Sequence, residues 1–364
     1  MSAKSWMLYG ANGYTGELIA REAHKRGLRP ILAGRNQEAV SALARELGLP
    51  FRIFSLESAA FVVENLLNVD LVLHCAGPFS ATSAPMVSAC LASRTHYLDV
   101  TGEVAVFEAI HGQHAKAVNR GVLLLPGVGF DVVPTDCLAL NLKKLLPDAH
   151  RLVLALHATG KPSRGTAKTM IEGLRTGGRV RENGVLKSVP LGYKVRTFHL
   201  DGRPRPATTI PWGDVATAYY TTGIPNIEVY MTLPEKQIRL LKIARALQWL
   251  LAGDWVQKRL KARVAAGARG PDASRRAEAR SFIYGQVSNP EGQTREAYLT
   301  TPNGYDVTVQ AALGIVEYLL EFDPPPGFQT PARLLGEHFV RTLPGVALQL
   351  PRTRKTVRPR AQSA

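Results

Sequence analysis

The chain has 364 residues, 45% of them apolar, which is enough for a sizeable core and too apolar for a disordered protein. Lys and Arg number 45 against 29 Asp and Glu, a formal charge of +16; residues 1–100 hold nine basic and eight acidic side chains, so nearly all of the excess lies beyond them. No apolar run is long enough for a spanning helix, the N-terminus lacks a secretory pattern, and Cys75, Cys90 and Cys137 make neither a disulfide framework nor a zinc spacing, so a cytoplasmic protein without a metal is expected.

In the first 125 residues, short apolar runs at 6–9, 30–33, 51–54, 71–75, 96–100 and 122–125 alternate with helical spacing at 14–26, 36–48, 57–67, 82–93 and 104–119. Such alternation predicts an α/β fold, a doubly wound parallel sheet of the Rossmann kind. The turn-rich stretch PGVGFDVVPTD then leads into a helix near 134–146. Residues 151–232 read mainly as strands (RLVLALHATG, KVRTFHL, TAYYTTG, IEVYMTL), interrupted by one helix at about 165–176. A long basic helix is predicted over 235–263, a hairpin over 279–301 around Asn289-Pro290-Glu291-Gly292, and helices near 305–321 and 330–342. The domain reading is 1–130 for the Rossmann unit, 131–304 for a second α/β unit serving substrate or dimerisation, and a loose basic tail at 351–364.

The strongest motif is Gly10-Ala11-Asn12-Gly13-Tyr14-Thr15-Gly16, between a predicted strand and a predicted helix. Gly10 permits the tight turn, Gly13 lets backbone approach a pyrophosphate, and Gly16 lets the helix pack on the sheet; N–H groups from about Gly13 to Thr15 then face the phosphates. The second strand runs into Arg35, with no acid before Glu38. A ribose 2′-hydroxyl calls for an acid here, whereas a planar guanidinium suits a 2′-phosphate, so the cofactor expected is NADP. The fourth strand runs into Cys75-Ala76-Gly77-Pro78-Phe79, placed to pass under the nicotinamide half, with Pro78 and Phe79 as an apolar wall and Cys75 reading as core. Asp99, Glu103 and Asp131 lie at the same catalytic edge and are the candidate proton donors or binders of a substrate amine; helix capping and turn formation compete for each of them. Thr101 is placed to bond a carbonyl.

In the second unit, Gly165-Thr166 opens a helix flanked by Lys161, Arg164, Lys168 and Arg175, suited to an anionic substrate or to a simple cap. Residues 236–263 combine eight cations with Trp249, Trp255 and aliphatic residues against one acid, Asp254. That pattern fits an anionic membrane surface or an acidic acyl-carrier protein, and equally a packing helix with a solvated basic face. Nucleic acid is not expected, since the basic segments carry no reader motif.

Together, GANGYTG (10–16), LAGRN (32–36), CAGPF (75–79), YLDVTGE (97–103), GFDVVPTD (129–136), GTAKTM (165–170), Gly270-Pro271 with Arg275 and Arg276, TPNGYDVT (301–308) and TPARLLG (330–336) resemble the saccharopine dehydrogenase-like oxidoreductases. The resemblance is nearer to the branch holding bacterial trans-acting enoyl reductases and eukaryotic saccharopine dehydrogenase-like oxidoreductases. It implies an NADP-binding domain completed by C-terminal residues, about 305–350, and hydride transfer to a C=C or C=N bond. Short-chain dehydrogenases share the glycine spacing, but no tyrosine here has a lysine four residues on. The readings carried forward are an enoyl reductase acting on a lipid or polyketide intermediate that is free or carrier-bound, a C=N reductase on an amino-acid adduct, and a silent nucleotide-binding scaffold at a membrane. A peripheral membrane location and a homodimer are compatible with each.

Overall fold

The computed structural model describes residues 4–160, 163–167, 170–171, 177–246, 253–265 and 270–350. A first sheet is built from β1 (Trp6–Tyr9), β2 (Ile31–Gly34), β3 (Phe51–Ile53), β4 (Leu71–His74), β5 (His96–Asp99), β6 (Leu123–Leu125) and β15 (Gly327–Phe328). All pairings are parallel, in the order β15-β6-β5-β4-β1-β2-β3. The six predicted strands are therefore present as a Rossmann sheet, and a seventh is lent by the C-terminal part of the chain. Strand order reverses between β1 and β4, and ligands of such sheets sit beyond the strand ends at that point.

The runs WMLY and LVLH are buried at every position, as a strand covered on both faces requires. Covering helices are α1 (Tyr14–Lys25), α2 (Gln37–Leu47), α3 (Ala59–Asn65), α4 (Phe79–Ser93), α5 (Val104–His111) and α6 (His114–Arg120). In α1, Gly16, Ile19, Ala20 and Ala23 are buried, one face at i, i+3, i+4 and i+7. The helix predicted over 104–119 is broken at Gly112-Gln113, giving α5 and α6.

Beyond α7 (Val133–Leu145) lies a second, mixed sheet. Its strands are β7 (Arg151–Ala158), β8 (Gly178–Glu182), β9 (Val185–Val189), β10 (Val195–Leu200), β11 (Arg203–Thr209), β12 (Asn226–Thr232), β13 (Arg280–Ser288), β14 (Thr294–Pro302) and β16 (Ala347–Gln349). The order is β10-β11-β12-β7-β13-β14-β16, with β8 attached to β12 and β9 paired in turn with β8. The predicted hairpin is the β13–β14 pair, in register from Arg280 opposite Pro302 to Ser288 opposite Thr294.

One predicted strand is corrected. TAYYTTG belongs to α8 (Asp214–Thr222), flanked by Gly213 and by Gly223 in the left-handed region, with Val215, Ala216, Ala218 and Thr222 buried. Its β-branched and aromatic residues suit a strand, but burial against α7 and α5 decides for a helix. The basic stretch 235–263 is described as two helices, α9 (Glu235–Ala246) and α10 (Asp254–Ala265), rather than one. Residues 330–342 are likewise split at Gly336 into α13 (Pro331–Leu335) and α14 (Phe339–Thr342), and a short α11 (Ala273–Glu278) precedes β13. Residues 164–167 are helical, while most of the rest of the helix predicted at 165–176, with Lys161, Lys168 and Arg175, falls outside the described residues, as does the 351–364 tail.

The two units interlock. Helix α12 (Gly304–Glu321) packs on α1, where Arg26 meets Glu317 at 3.1 Å. Lys4 reaches the Leu319 carbonyl at 2.9 Å and Asp323 at 2.8 Å. Buried Arg181 of β8 donates to the Val215 carbonyl in α8 and to Glu108 of α5, both at 2.8 Å. Buried Asp136 of α7 accepts from the Ala332 N–H at 2.9 Å and from Thr221. No described helix is long and apolar enough to cross a membrane.

Candidate functional site

The glycine-rich loop leaves β1 at the point where strand order reverses. Gly10 has φ +82°, and a Cβ there would lie 2.8 Å from the Ala76 nitrogen, so the loops after β1 and β4 meet backbone to backbone. A Cβ on Gly16 would lie 2.2 Å from the Gly10 carbonyl oxygen, a clash that no side chain relieves. The Gly13 N–H is spent on that same carbonyl at 2.9 Å. The free first-turn donors of α1 are therefore those of Tyr14, Thr15 and Gly16, one residue later than the sequence suggests. Asn12 borders the end of β2, its Oδ1 3.2 Å from the position of a Cβ on Gly34. These features fit a pyrophosphate resting on a helix N-terminus.

Arg35 follows β2 directly, is exposed, and makes no hydrogen bond or ion pair with any described residue. In sheets of this kind the ribose of a dinucleotide lies beyond the end of this strand, which is where Arg35 stands in the chain. Opposite, the 76–78 loop is held from below: the Thr82 hydroxyl donates to the Ala76 carbonyl at 2.7 Å and lies 3.0 Å from His74 Nε2. Gly77 is exposed and Pro78 half-buried, and the peptide bond between them is cis. Phe79 departs from its expected place as a wall; it is buried in the core, edge-on to His74.

The three candidate carboxyl groups are brought to one edge and used differently. Asp99 is fully buried and accepts from Tyr97 Oη at 2.7 Å and from the Thr101 and Gly127 N–H groups at 2.9 Å each. It ties the end of β5 to the loop after β6; burial pushes it up to about 6, against the pull of those three donors. Glu103 spreads its carboxylate over the N-terminus of α4, accepting from the Phe79 and Ser80 N–H groups at 2.9 Å each. Thr101 receives the Glu103 N–H on its hydroxyl at 3.1 Å, so its oxygen serves the local turn.

Asp131 is different. It is half-buried, and a Cβ on Gly102 would come within 2.7 Å of its Oδ2, so the carboxyl group occupies the space that a side chain at 102 would need. Burial alone raises it to about 6, with no charged neighbour offsetting the shift. Buried Asp214 lies within electrostatic reach of it. Gly213 lies against the Gly102 carbonyl, and a Cβ there would be 2.8 Å from the Phe107 ring; Trp212 precedes it and Phe130 adjoins Asp131.

Sequence reasoning missed two features. Tyr14 reaches the second unit: its hydroxyl donates to the Pro271 carbonyl at 2.5 Å and receives Arg276 at 3.2 Å, and its ring lies edge-on to Tyr305 at 5.0 Å. The pairing of GANGYTG with Gly270-Pro271 and Arg276 leaves no local signal, because 257 residues separate the partners. The other is Asp214, fully buried in the first turn of α8 with neither oxygen hydrogen-bonded at normal geometry. It lies three residues before TAYYTTG, which reads as a strand, so no helix start marks it in the sequence. Burial first, then the neighbouring Asp136 and Asp131, hold its carboxyl well above the usual range.

Residues 6–125 match the family model of the saccharopine dehydrogenase NADP binding domain. A mouse saccharopine dehydrogenase-like oxidoreductase is 29% identical over 150 residues, covering 36% of this chain and 35% of the relative. A trans-acting enoyl reductase of Mycobacterium ulcerans is 29% identical over 188 residues, covering 47% of this chain and 44% of the relative. The aligned stretches thus span less than half of each relative's length. The apo saccharopine dehydrogenase (L-Glu forming) of Saccharomyces cerevisiae superposes over 96% of this chain and 99% of its own, with a TM-score of 0.67 at 11% identity, a likeness of fold.

Proposed function

Taking residues 6–125 as a saccharopine dehydrogenase-type NADP-binding domain, we propose that the protein is an NADPH-dependent oxidoreductase that reduces the C=C bond of an apolar acyl substrate, a lipid or polyketide intermediate. The observation that carries the reading is Asp131, a half-buried carboxyl group with raised affinity for its proton, set at the carboxyl edge of the sheet against Gly102 and next to Phe130 in the chain. A substrate bearing several carboxylates would call for cations there, whereas a charged group within reach of Asp131 is another acid, Asp214. The partial likeness to a trans-acting enoyl reductase supports the same choice.

The chain's own residues divide the work. N–H groups of Tyr14, Thr15 and Gly16 hold the pyrophosphate, Arg35 holds the 2′-phosphate, and the 76–78 loop passes beneath the nicotinamide. Bound NADPH supplies the hydride. Asp131 in its protonated form gives a proton to the alkene carbon that does not receive hydride, then recovers one from solvent, so one C=C π bond is lost and two C–H bonds form. Glu103 and Asp99 hold the walls of the site.

The test is NADPH oxidation with trans-2-enoyl thioesters of increasing chain length. Turnover falls as pH rises through about 6, because Asp131 must carry its proton. In Asp131→Asn that limb disappears and kcat drops by about 10²–10⁴-fold, with NADPH affinity retained. Turnover of an imine formed between an amino acid and an oxo acid, with none of the enoyl thioesters, would replace this reading by C=N reduction. NADPH binding without turnover of either would leave a nucleotide-binding scaffold.

A further inference from the structure

The most cationic part of the second unit presents side chains that no described element covers. In α10, Trp255, Lys258, Arg259 and Arg263 are exposed at i, i+3, i+4 and i+8, one helical face. Trp255 is 68% exposed, and the Arg259 guanidinium lies 5.3 Å from its ring centre. The opposite side is anchored: Gln257 is buried and donates to the Ile171 carbonyl at 3.2 Å. Met170, adjacent to that carbonyl, is 61% exposed. In α9, Lys236, Leu240 and Ile243 share an exposed face at i, i+4 and i+7 beside Arg239, with Leu240 55% and Ile243 61% exposed, while Ile238 is buried.

We propose that these faces of α9 and α10 dock on an anionic lipid bilayer, as a peripheral contact rather than a span. Charge complementarity carries the choice of occupant. Lys236, Arg239, Arg245, Lys258, Arg259 and Arg263 are exposed, and among described side chains of the two helices the one acid is Glu235, already paired with Arg239 at 3.5 Å. An acidic protein would satisfy the cations but gives no reason for Trp255, Leu240, Ile243 and Met170 to stand in water between them. Phosphate headgroups take the guanidinium and ammonium groups, while the indole and aliphatic side chains enter the headgroup–acyl boundary. The segment under α10 also leads to the candidate site: Ser163, at the start of the 164–167 helical stretch, donates its N–H to Tyr305 Oη at 2.5 Å, and Tyr305 lies against Tyr14.

The full chain is tested by co-sedimentation with vesicles of phosphatidylcholine alone and of phosphatidylcholine carrying a one-third share of phosphatidylglycerol. The expected result is partition onto the anionic vesicles at least about tenfold stronger than onto the neutral ones, weakening as salt is raised. Arg259→Glu with Arg263→Glu lowers that partition by about tenfold or more, and Trp255→Ala by a few-fold, while thermal midpoint and NADPH affinity stay at wild-type values. Equal partition onto both vesicle types, no partition at all, or variants that bind like wild type would overturn the proposal. Retention by an acidic carrier protein without vesicle binding would overturn it in favour of a protein partner. Because the readout is lipid partition, its failure leaves the reductase reading standing, and the reverse holds equally.

Discussion

Asp99, Glu103 and Asp131 carry the same functional group within a short stretch of chain, and their hydrogen bonds decide what each does. Three donors fix Asp99 and two backbone N–H groups fix Glu103, whereas Asp131 packs against Gly102 without such a donor among the described residues and lies within electrostatic reach of buried Asp214. The sequence identified the edge on which all three stand, because alternation along β5 and the turn after β6 place them there. It could not rank them, since the ranking depends on N–H groups from Phe79, Ser80 and Gly127 that are distant in the chain. Arg35 was legible for the opposite reason: its place depends only on following β2. Replacing it with aspartate is expected to weaken NADPH by about ten- to a hundredfold while NADH binds as before, because a two-donor grip on phosphate becomes repulsion. Fluorescence titration of both coenzymes reads the ratio, and an unchanged ratio would remove Arg35 from the site.

Elements of the first unit were legible because parallel strands buried on both faces spell continuous apolar runs, and the helices between them carry a single apolar stripe. The second unit was harder. Strands β8, β9 and β11 are rich in Arg, Lys, Glu or Pro and fell below the pattern, while α8 mimics a strand in composition. Helix α4 shows how an element relies on a distant residue. Its N-cap Pro78 offers no side-chain acceptor, and Glu103 supplies two. Glu103→Ala strips both charge-assisted bonds from the helix start and should cost about 1–2 kcal/mol. A fall of a few degrees in thermal midpoint, only partly reversed in Glu103→Gln because its amide keeps one acceptor oxygen of the two, is the expected record; no change would mean that solvent caps α4 equally well.

Over the whole molecule, buried acids make stability depend on pH in an uncommon direction. Asp99, Asp131 and Asp136 are raised by burial to about 6, and Asp214 is raised further. A carboxyl group whose folded pKa exceeds its unfolded value of about 3.9 binds its proton more tightly when folded, so stability declines as pH climbs from about 4 through 6, and beyond that on account of Asp214. Asp214→Asn keeps the shape and removes the charge. Its thermal midpoint should exceed wild type at pH 8 and converge with it near pH 4; a constant difference would show that Asp214 is not the titrating group.

The seventh strand of the nucleotide-binding sheet has a consequence for how the chain is made. Gly327–Phe328 closes β6, α12 covers α1, and Lys4 is held by the Leu319 carbonyl and Asp323, so the nucleotide-binding unit is finished only by residues synthesised long after β6. Until then, the Leu123–Leu125 edge and the outer side of α1 stand bare during vectorial synthesis, a window in which chaperone capture would matter more than for a contiguous nucleotide fold. The same arrangement means that residues 1–130 are poor material for a transplantable coenzyme module, since excision would leave behind the plank that completes it.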